Sequence, residues 1–454
     1  MKIAIIGTGI SGMTAARLLH ARHELTVFES NDYIGGHTHT VPVEVAGQKY
    51  AIDTGFIVYN ERTYPQFCRL LDLLGVTTQP SEMSFSVKCE RTGLEYCGSN
   101  LNTLFTQRLN LFRPSFLKML RDIVRFNREA PALLQDDQNE VTLGEYVERQ
   151  RYSTQFRDQY LIPMGAAIWS MPPAQMLDFP ARYFVQFCHN HGLLALKNRP
   201  QWRVIAGGSW RYVERLVEPF RDRIRRSCPV LFVRRDEHGV EIVSVAGTER
   251  FDHVIFATHG PQALRLLADA SVLERAVLGA FQSQQNIAVL HTDVSLLPKH
   301  RRAWASWNYH LPREPLTDVA VTYQMNILQS LRSPEPFCVT LNRPEAIRPD
   351  KVIREFVYEH PIYSRAAVQA QTRHAEISGG GRTHFCGAYW GYGFHEDGVK
   401  SALTVAKAFG VESIEECFSK STPKQRTGVP ILKFDHLTPK PDSQIVILNQ
   451  NNEG

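Results

Sequence analysis

The sequence predicts an α/β fold, and three observations lead to it. An apolar strand at residues 3–6 runs straight into a glycine-rich turn and a helix. Two more short apolar strands, at 251–258 and 383–387, each end at a turn far along the chain. Long segments of helical or strand character separate them, in a composition of ordinary globular type with 43% hydrophobic and 21% charged residues. At about 150 residues per domain, 454 residues make two to three domains.

Composition and charge set several function classes aside. Lys and Arg number 51 against 46 Asp and Glu, and a surplus of +5 over this length is too thin to argue for nucleic acid. Eight cysteines, at 68, 89, 97, 188, 228, 338, 386 and 417, show no C-x-x-C spacing. They fit a reducing compartment and speak against a zinc ribbon or an iron–sulfur cluster. Residues 1–7 lead into a glycine turn where a signal peptide would have a long apolar region. The uncharged stretch 159–177 is broken by Pro163, Pro172 and Pro173 and makes a poor membrane span. The expectation is a soluble, cytoplasmic protein.

The N-terminal elements form one mechanical unit. After strand 3–6 comes Gly7-Thr8-Gly9-Ile10-Ser11-Gly12, then a helix at 13–20, then a strand at 25–29 that ends in Glu29, followed by Ser30. The first glycine permits the tight turn and the second lets a pyrophosphate approach the backbone. The third lets helix and strand pack closely, and the helix N-terminus supplies N–H donors and a positive dipole end. Glu29 is placed to accept from ribose hydroxyls. Together these parts predict a Rossmann-like dinucleotide site.

Six residues beyond Glu29 lies Gly35-Gly36-His37-Thr38, then a hairpin over 43–52 and Asp53-Thr54-Gly55-Phe56-Ile57. An acid followed by a Gly-Gly turn resembles the FAD signature of the flavin-containing amine oxidase superfamily, which includes phytoene desaturases and protoporphyrinogen oxidases. The resemblance implies FAD as cofactor and a Rossmann-like (GR2-type) FAD-binding domain with an inserted mixed-sheet and helical substrate domain. It places Gly35, Gly36, His37 and Thr38 beside the phosphates and Gly55, Phe56 and Ile57 near the ring. The family's usual residue after the two glycines is Arg, and neutral His37 is a poorer phosphate partner.

Later segments resemble the family in order. Ile205-Ala206-Gly207-Gly208-Ser209-Trp210 is similar to a second Gly-Gly turn, and Val230 on a following strand is implied to face the adenine. The strand 251–258 closes the lobe at Ala257. Near the end, Phe385-Cys386-Gly387 leads through Tyr389, Trp390 and Tyr392 to a helix opened by Glu396-Asp397-Gly398-Val399. In the family this helix points at the flavin pyrimidine, so the resemblance implies cofactor contacts at Gly387, Asp397, Gly398 and Val399. Many members have an acid where this chain has Tyr389. Tyr389, Trp390 and Tyr392 are expected as aromatic walls of the ring, the first two as candidate catalytic neighbours. In finer detail the chain resembles predicted bacterial oxidoreductases often encoded near cyclopropane-fatty-acid synthases, and this alone suggests an acyl-lipid substrate.

The pieces 1–60, 200–265 and 378–412 then make a discontinuous FAD-binding domain. Residues 61–199 read as a mostly helical cap, 266–377 as a sheet-containing substrate domain with strands near 286–292, 318–325 and 337–341, and 413–454 as a tail with a small strand near 444–448. The segment 161–169 resembles the family's apolar route to the flavin and reads equally well as core. The basic amphipathic stretch 111–127 reads either as a helix packed on its own domain or as a peripheral contact with the inner face of a membrane. His37/His39 and His189/His191 lack a third ligand, so no metal site is expected. No hydrolase motif is present. A lysine beside a flavin-proximal water is common in amine oxidases, and Lys299 lies in a polar turn that argues for solvent. The reading is an FAD-dependent oxidoreductase that takes a hydride from a small hydrophobic or lipid substrate, with O2 or a quinone as acceptor. Oxidation of a C–N bond and a non-catalytic redox sensor are the alternatives, and the oligomeric state stays open.

Overall fold

Five parallel strands carry the glycine motif: β1 (Lys2–Ile6), β2 (Glu24–Phe28), β3 (Ile224–Arg225), β4 (His253–Phe256) and β5 (Thr383–Phe385). Their spatial order is β3-β2-β1-β4-β5. The computed structural model describes residues 1–135, 141–314 and 316–418 and the backbone of 446–447. Parallel strands covered on both faces need unbroken apolar sequence. Ile3, Ala4 and Ile5 on β1 and Val254, Ile255 and Phe256 on β4 are fully buried accordingly. The helix Ile10–Leu19 is buried along its whole length, and the helix His395–Lys407 packs across it. A Cβ on Gly398 would lie 2.6 Å from Ile10 Cγ2 and 3.0 Å from Ser11 Oγ, so glycine sets that crossing. An antiparallel meander, Val230–Asp236, Gly239–Ser244 and Gly247–Phe251, covers the same lobe.

A second, mixed sheet has seven strands in the order Val352–Ile362, Gln282–His291, Cys338–Leu341, Val321–Gln324, Trp307–Leu311, Phe85–Cys89 and Leu94–Cys97. All neighbours are antiparallel except Trp307–Leu311 with Phe85–Cys89. Two of its strands come from the region expected to be mostly helical. Polar residues hide that hairpin from an apolar reading, because each is satisfied internally. Ser86 donates to Asn308 (2.9 Å), Lys88 Nζ donates to the Ser295 and Leu297 carbonyls, and Glu95 accepts from His300. The edge strand Val352–Ile362 escapes the sequence reading for a related reason. It carries Arg354, Glu355, Glu359 and Pro361, the charges and proline that protect an exposed edge.

The remaining cap is helical, with Pro65–Leu74, Pro114–Glu129, Ile162–Trp169 and Ala181–Asn190 packed on the second sheet and on β1's lobe. The stretch 111–127 differs from expectation at its start. Arg108–Phe112 is a separate 3-10 turn, and the helix begins at Pro114, whose fixed φ and missing N–H suit the first helical position. Phe116, Met119 and Phe126 on that helix are buried in the cap's core. Val446–Ile447 pairs in parallel with Thr40–Val45, within the small strand expected at 444–448. Residues 419–445 and 448–454 of the expected tail lie outside the described residues. Among those described, no helix is long and apolar enough to cross a membrane.

Candidate cofactor and active site

The three glycines of the first turn answer to different demands. Gly7 has φ +105°, and a Cβ there would lie 2.7 Å from the Ala257 carbonyl oxygen. Gly12 would put a Cβ 2.0 Å from the Gly7 carbonyl oxygen. Both are therefore required by the protein's own packing. Gly9 has an ordinary φ of −64°, and a Cβ on it would meet nothing within 4 Å. Protein packing does not ask for glycine at that position, whereas a pyrophosphate drawn against the backbone does. The turn thus fits a dinucleotide. Glu29, at the end of β2, is held beside it by accepting from the Thr8 N–H (3.0 Å), the Thr8 hydroxyl and the Asn31 N–H (2.9 Å). The Ser30 hydroxyl also donates to it, and the Cys228 N–H bonds to the Glu29 carbonyl at 2.8 Å, which brings the start of Val230's strand alongside.

The second glycine turn meets the first directly: a Cβ on Gly36 would lie 3.1 Å from Gly9 Cα. Beyond it, Gly55 crosses His37 backbone to backbone. A Cβ on Gly55 would sit 2.2 Å from the His37 carbonyl oxygen, and the Phe56 N–H donates to that oxygen at 2.7 Å. Phe56 turns its ring inward, stacked on His395 with centroids 3.5 Å apart, and Ile57 joins the cap's core. Thr38 shares its hydroxyl with Tyr212 and with His395 Nε2 (2.9 Å). Asp53 ties three segments together, accepting from Thr40, from the Ser209 N–H (2.8 Å) and hydroxyl (2.8 Å), and from Gln329 (3.1 Å). Its burial pushes the carboxyl up to about 6.

His37 occupies the family's arginine position in an unexpected setting. Its ring lies against His360, Tyr358 and His259, with centroids 5.1, 5.4 and 6.0 Å away. Burial, and the neighbouring His259, hold it down to about 4, so it is uncharged at neutral pH. It offers a single N–H or lone pair rather than a cation, and Nε2 has no hydrogen-bond partner among the described residues. His360 is likewise held well below its usual range by burial, then by His37 and His259. His39 leaves the pair: it stacks on Tyr33 and bonds to the Tyr358 hydroxyl at 3.0 Å. Among the described residues, no group of three or more His, Cys, Asp or Glu side chains is arranged to hold a metal ion.

At the far end, the Gly387 N–H donates to Ser401 Oγ at 2.9 Å, joining the β5 turn to the last helix. The residues that follow do not form one aromatic wall. Tyr389 and Trp390 pack on Phe281 at 4.7 and 5.0 Å, and Trp390 also meets His374 at 4.6 Å. Tyr392 joins a different cluster, 4.4 Å from Tyr183 and 5.5 Å from Phe187. The loop twists through a 3-10 turn over Ala388–Trp390, which sends neighbouring side chains into separate cores. The Tyr389 hydroxyl and the Trp390 indole nitrogen are buried without partners among the described residues. Asp397 caps its own helix by accepting from the Phe394 N–H (3.1 Å), and burial pushes it up to about 6. Val399 is buried between the two crossing helices.

Tyr392 meets Trp169, the end of the segment 161–169 expected as an apolar route or as core, and opens onto Tyr183, Phe187 and Tyr363, which the sequence reading missed. Trp169 donates its indole N–H to the Tyr392 carbonyl (3.2 Å), and the Tyr183 hydroxyl donates to the Gly391 carbonyl (2.9 Å). Phe187, Phe394 and Tyr363 complete the ring of aromatics. Tyr183 and Phe187 stand four residues apart on the helix Ala181–Asn190, a spacing that was the one local clue. A cavity of about 340 Å3 borders this cluster, lined by Tyr392, Phe394, Asp397, His191 and Arg62 among others. Lys299 lies elsewhere, on an exposed turn where its N–H donates to Glu95.

Comparison with known proteins agrees with this geometry. A family model described as flavin containing amine oxidoreductase matches residues 10–295. The flavin-containing amine oxidase A of Canis lupus familiaris is 23% identical over 256 residues, 53% of this chain and 46% of that protein. The chain thus spans about half the length of the curated relatives it matches. A putrescine oxidase bound to putrescine superposes with a TM-score of 0.64 at 15% identity, covering 90% of this chain and 99% of that one. A fatty acid isomerase from P. acnes gives 0.62 at 16% identity, covering 90% and 98%. Identities this low establish a shared fold.

Proposed function

The chain belongs to the family of flavin containing amine oxidoreductases, and from that premise we propose an FAD-dependent oxidoreductase whose bound flavin accepts a hydride from an apolar substrate, a lipid or fatty-acyl chain, giving desaturation. The final electron acceptor on this reading is O2 or a quinone. The observation that carries the substrate class is the aromatic cluster of Trp169, Tyr183, Phe187, Tyr363, Tyr392 and Phe394 beside the last helix, of which Tyr392 and Phe394 line the adjoining cavity. These rings give an alkyl chain apolar surface to lie on, beside the charged groups Arg62, Glu396, Asp397 and Lys400 that line the same cavity. The fold is shared with proteins that act on putrescine and on fatty acids, so it leaves the substrate to the side chains.

The residues of the chain divide the work. Gly9, Ile10, Ser11 and Glu29 hold the dinucleotide end, with Val230 toward the adenine. Gly387 and the turn at Gly398 seat the other end. Tyr389 and Trp390 are proposed to back the ring from the Phe281 side. Oxidation of a C–N bond is the second reading, favoured by Asp397, a half-buried acid at the edge of the same cavity. One anaerobic experiment separates the two. Purified yellow protein is titrated with an unsaturable acyl phospholipid and, separately, with alkyl amines, while the flavin band is followed. Bleaching by the lipid without ammonia release is expected. Bleaching by amines with ammonia release would replace the lipid reading, and bleaching by neither would leave the sensor.

A further inference from the structure

We propose that the end of the cap formed by residues 101–121 and 299–302 docks this protein on an anionic bilayer surface, whatever substrate the flavin site takes. The amphipathic stretch does not supply the contact by the face its periodicity suggests, because Phe116, Met119 and Phe126 are already buried in the cap. The side chains left outside lie on the segment 101–112 before that helix and on its first turn. Leu109 and Phe112 are each 82% exposed and Leu101 is 75% exposed, with Leu111 and Leu117 also facing out. Large apolar side chains gathered at this exposure mark a contact surface.

Charge selects what the surface meets. Between residues 96 and 121 the sequence has no Asp or Glu, while Arg108, Arg113, Lys118 and Arg121 give four cations. Arg108 bonds only to neutral partners, Asn102 and the Phe105 carbonyl, and Arg113 donates to the Thr92 carbonyl. A second basic run arrives from a distant part of the chain. The turn Arg301–Ala303 packs against the helix Leu101–Leu104 and the strand Leu94–Cys97, with Ala303 and Cys97 sharing one small core. It sets exposed Lys299, Arg301 and Arg302 beside the apolar tip. Glu95, on the strand beside this turn, is buried and spent on the Lys299 N–H and on His300. Among the described residues, none of these seven cations is paired with a carboxylate.

Leucine and phenylalanine at the tip with lysine and arginine around them match a bilayer interface, where apolar groups enter the acyl boundary and cations meet lipid phosphates. Two copies of this chain joined at the same patch would oppose cation to cation. Nucleic acid would leave the leucines without a partner.

The test uses the full-length flavoprotein and sedimentation with vesicles, either of phosphatidylcholine alone or of phosphatidylcholine mixed with phosphatidylglycerol. Binding to the anionic vesicles at low salt is expected, weaker by about tenfold without phosphatidylglycerol. The double variant Leu109→Asp/Phe112→Asp should lose binding by about tenfold or more, with its flavin spectrum and melting temperature retained. Arg301→Ala/Arg302→Ala should weaken binding and flatten its salt dependence. Absence of vesicle binding overturns the proposal. So does a wild-type dimer that the Leu109→Asp/Phe112→Asp variant turns into monomers, or a preference for RNA over vesicles.

Discussion

The two ends of the proposed cofactor site are built on opposite principles. At the glycine turn, residues 7–12, structure is made by leaving side chains out: Gly7 and Gly12 let backbones touch, and Gly9 keeps a space clear that the protein does not fill. At the Gly387–Phe394 end, structure is made by filling, with aromatic rings from the helices Ile162–Trp169 and Ala181–Asn190 and from Tyr363, just past the strand Val352–Ile362, packed around one loop. The first arrangement is local and tolerates little variation in residue type. The second is assembled from distant segments, so no local pattern of residue types prescribes it.

The contrast breaks most visibly if Gly9 and Gly12 behave alike. Gly12→Val places carbon against the Gly7 carbonyl and should cost more than about 3 kcal/mol, enough to lose the folded protein. Gly9→Val should melt within about 2 °C of the parent yet purify without flavin. Equal destabilisation of the two, measured by thermal melts of the apoproteins, would end the distinction drawn here.

Acid should sharpen it. Burial, the first cause in each, holds His37, His39 and His191 down to about 4 against an unfolded value of 6.5. The unfolded chain therefore binds more protons between those values. The stability contributed by these neutral imidazoles is full above pH 6.5 and is lost as pH falls toward 4. Asp53 and Asp397, raised to about 6 by burial, work the other way between 6 and 3.8. The histidines, joined by His291 and His384, outnumber them. The glycine turn itself holds no histidine. Urea midpoints should fall across that window. A midpoint that rises on acidification would reverse the sign.

The smallest effect is expected inside the aromatic end. Tyr183→Phe removes one donor from the Gly391 carbonyl, but Gln371 still donates to it at 2.6 Å. A loss of about 1 kcal/mol or less should follow, with flavin content unchanged and any kinetic effect in KM rather than kcat. Loss of flavin from that variant would show that the loop, rather than the glycine turn, governs retention.

What the sequence discloses follows the same division. β1, the turn and Glu29 are legible because their roles are fixed by neighbours within about one βαβ unit. The hairpin Phe85–Cys89/Leu94–Cys97 is illegible because Ser86, Lys88 and Glu95 are satisfied by residues more than 200 positions away. Tyr389, Trp390 and Tyr392 look alike as a run of aromatics, and only the turn between them decides that they serve different cores. His37 reads as a weakened phosphate contact, while its partners His259 and His360 sit on β4's loop and an edge strand that no local pattern links to it.

The arrangement of the first sheet also bears on how the molecule is made. β1 and β2 leave the ribosome early, but β5 and the helix that seats Gly398 against Ile10 and Ser11 come from residues 383–407. At bacterial or eukaryotic elongation rates the interval between β1 and β5 is roughly 20–75 s. Throughout it the nascent chain holds half a nucleotide cradle with one sheet edge and one face of the Ile10–Leu19 helix uncovered. Synthesis therefore imposes an order on maturation. The second sheet, whose strands all precede residue 363, is synthesised before the cradle's last strand and helix, and the loop that brings Tyr392 and Phe394 to the substrate side arrives with them.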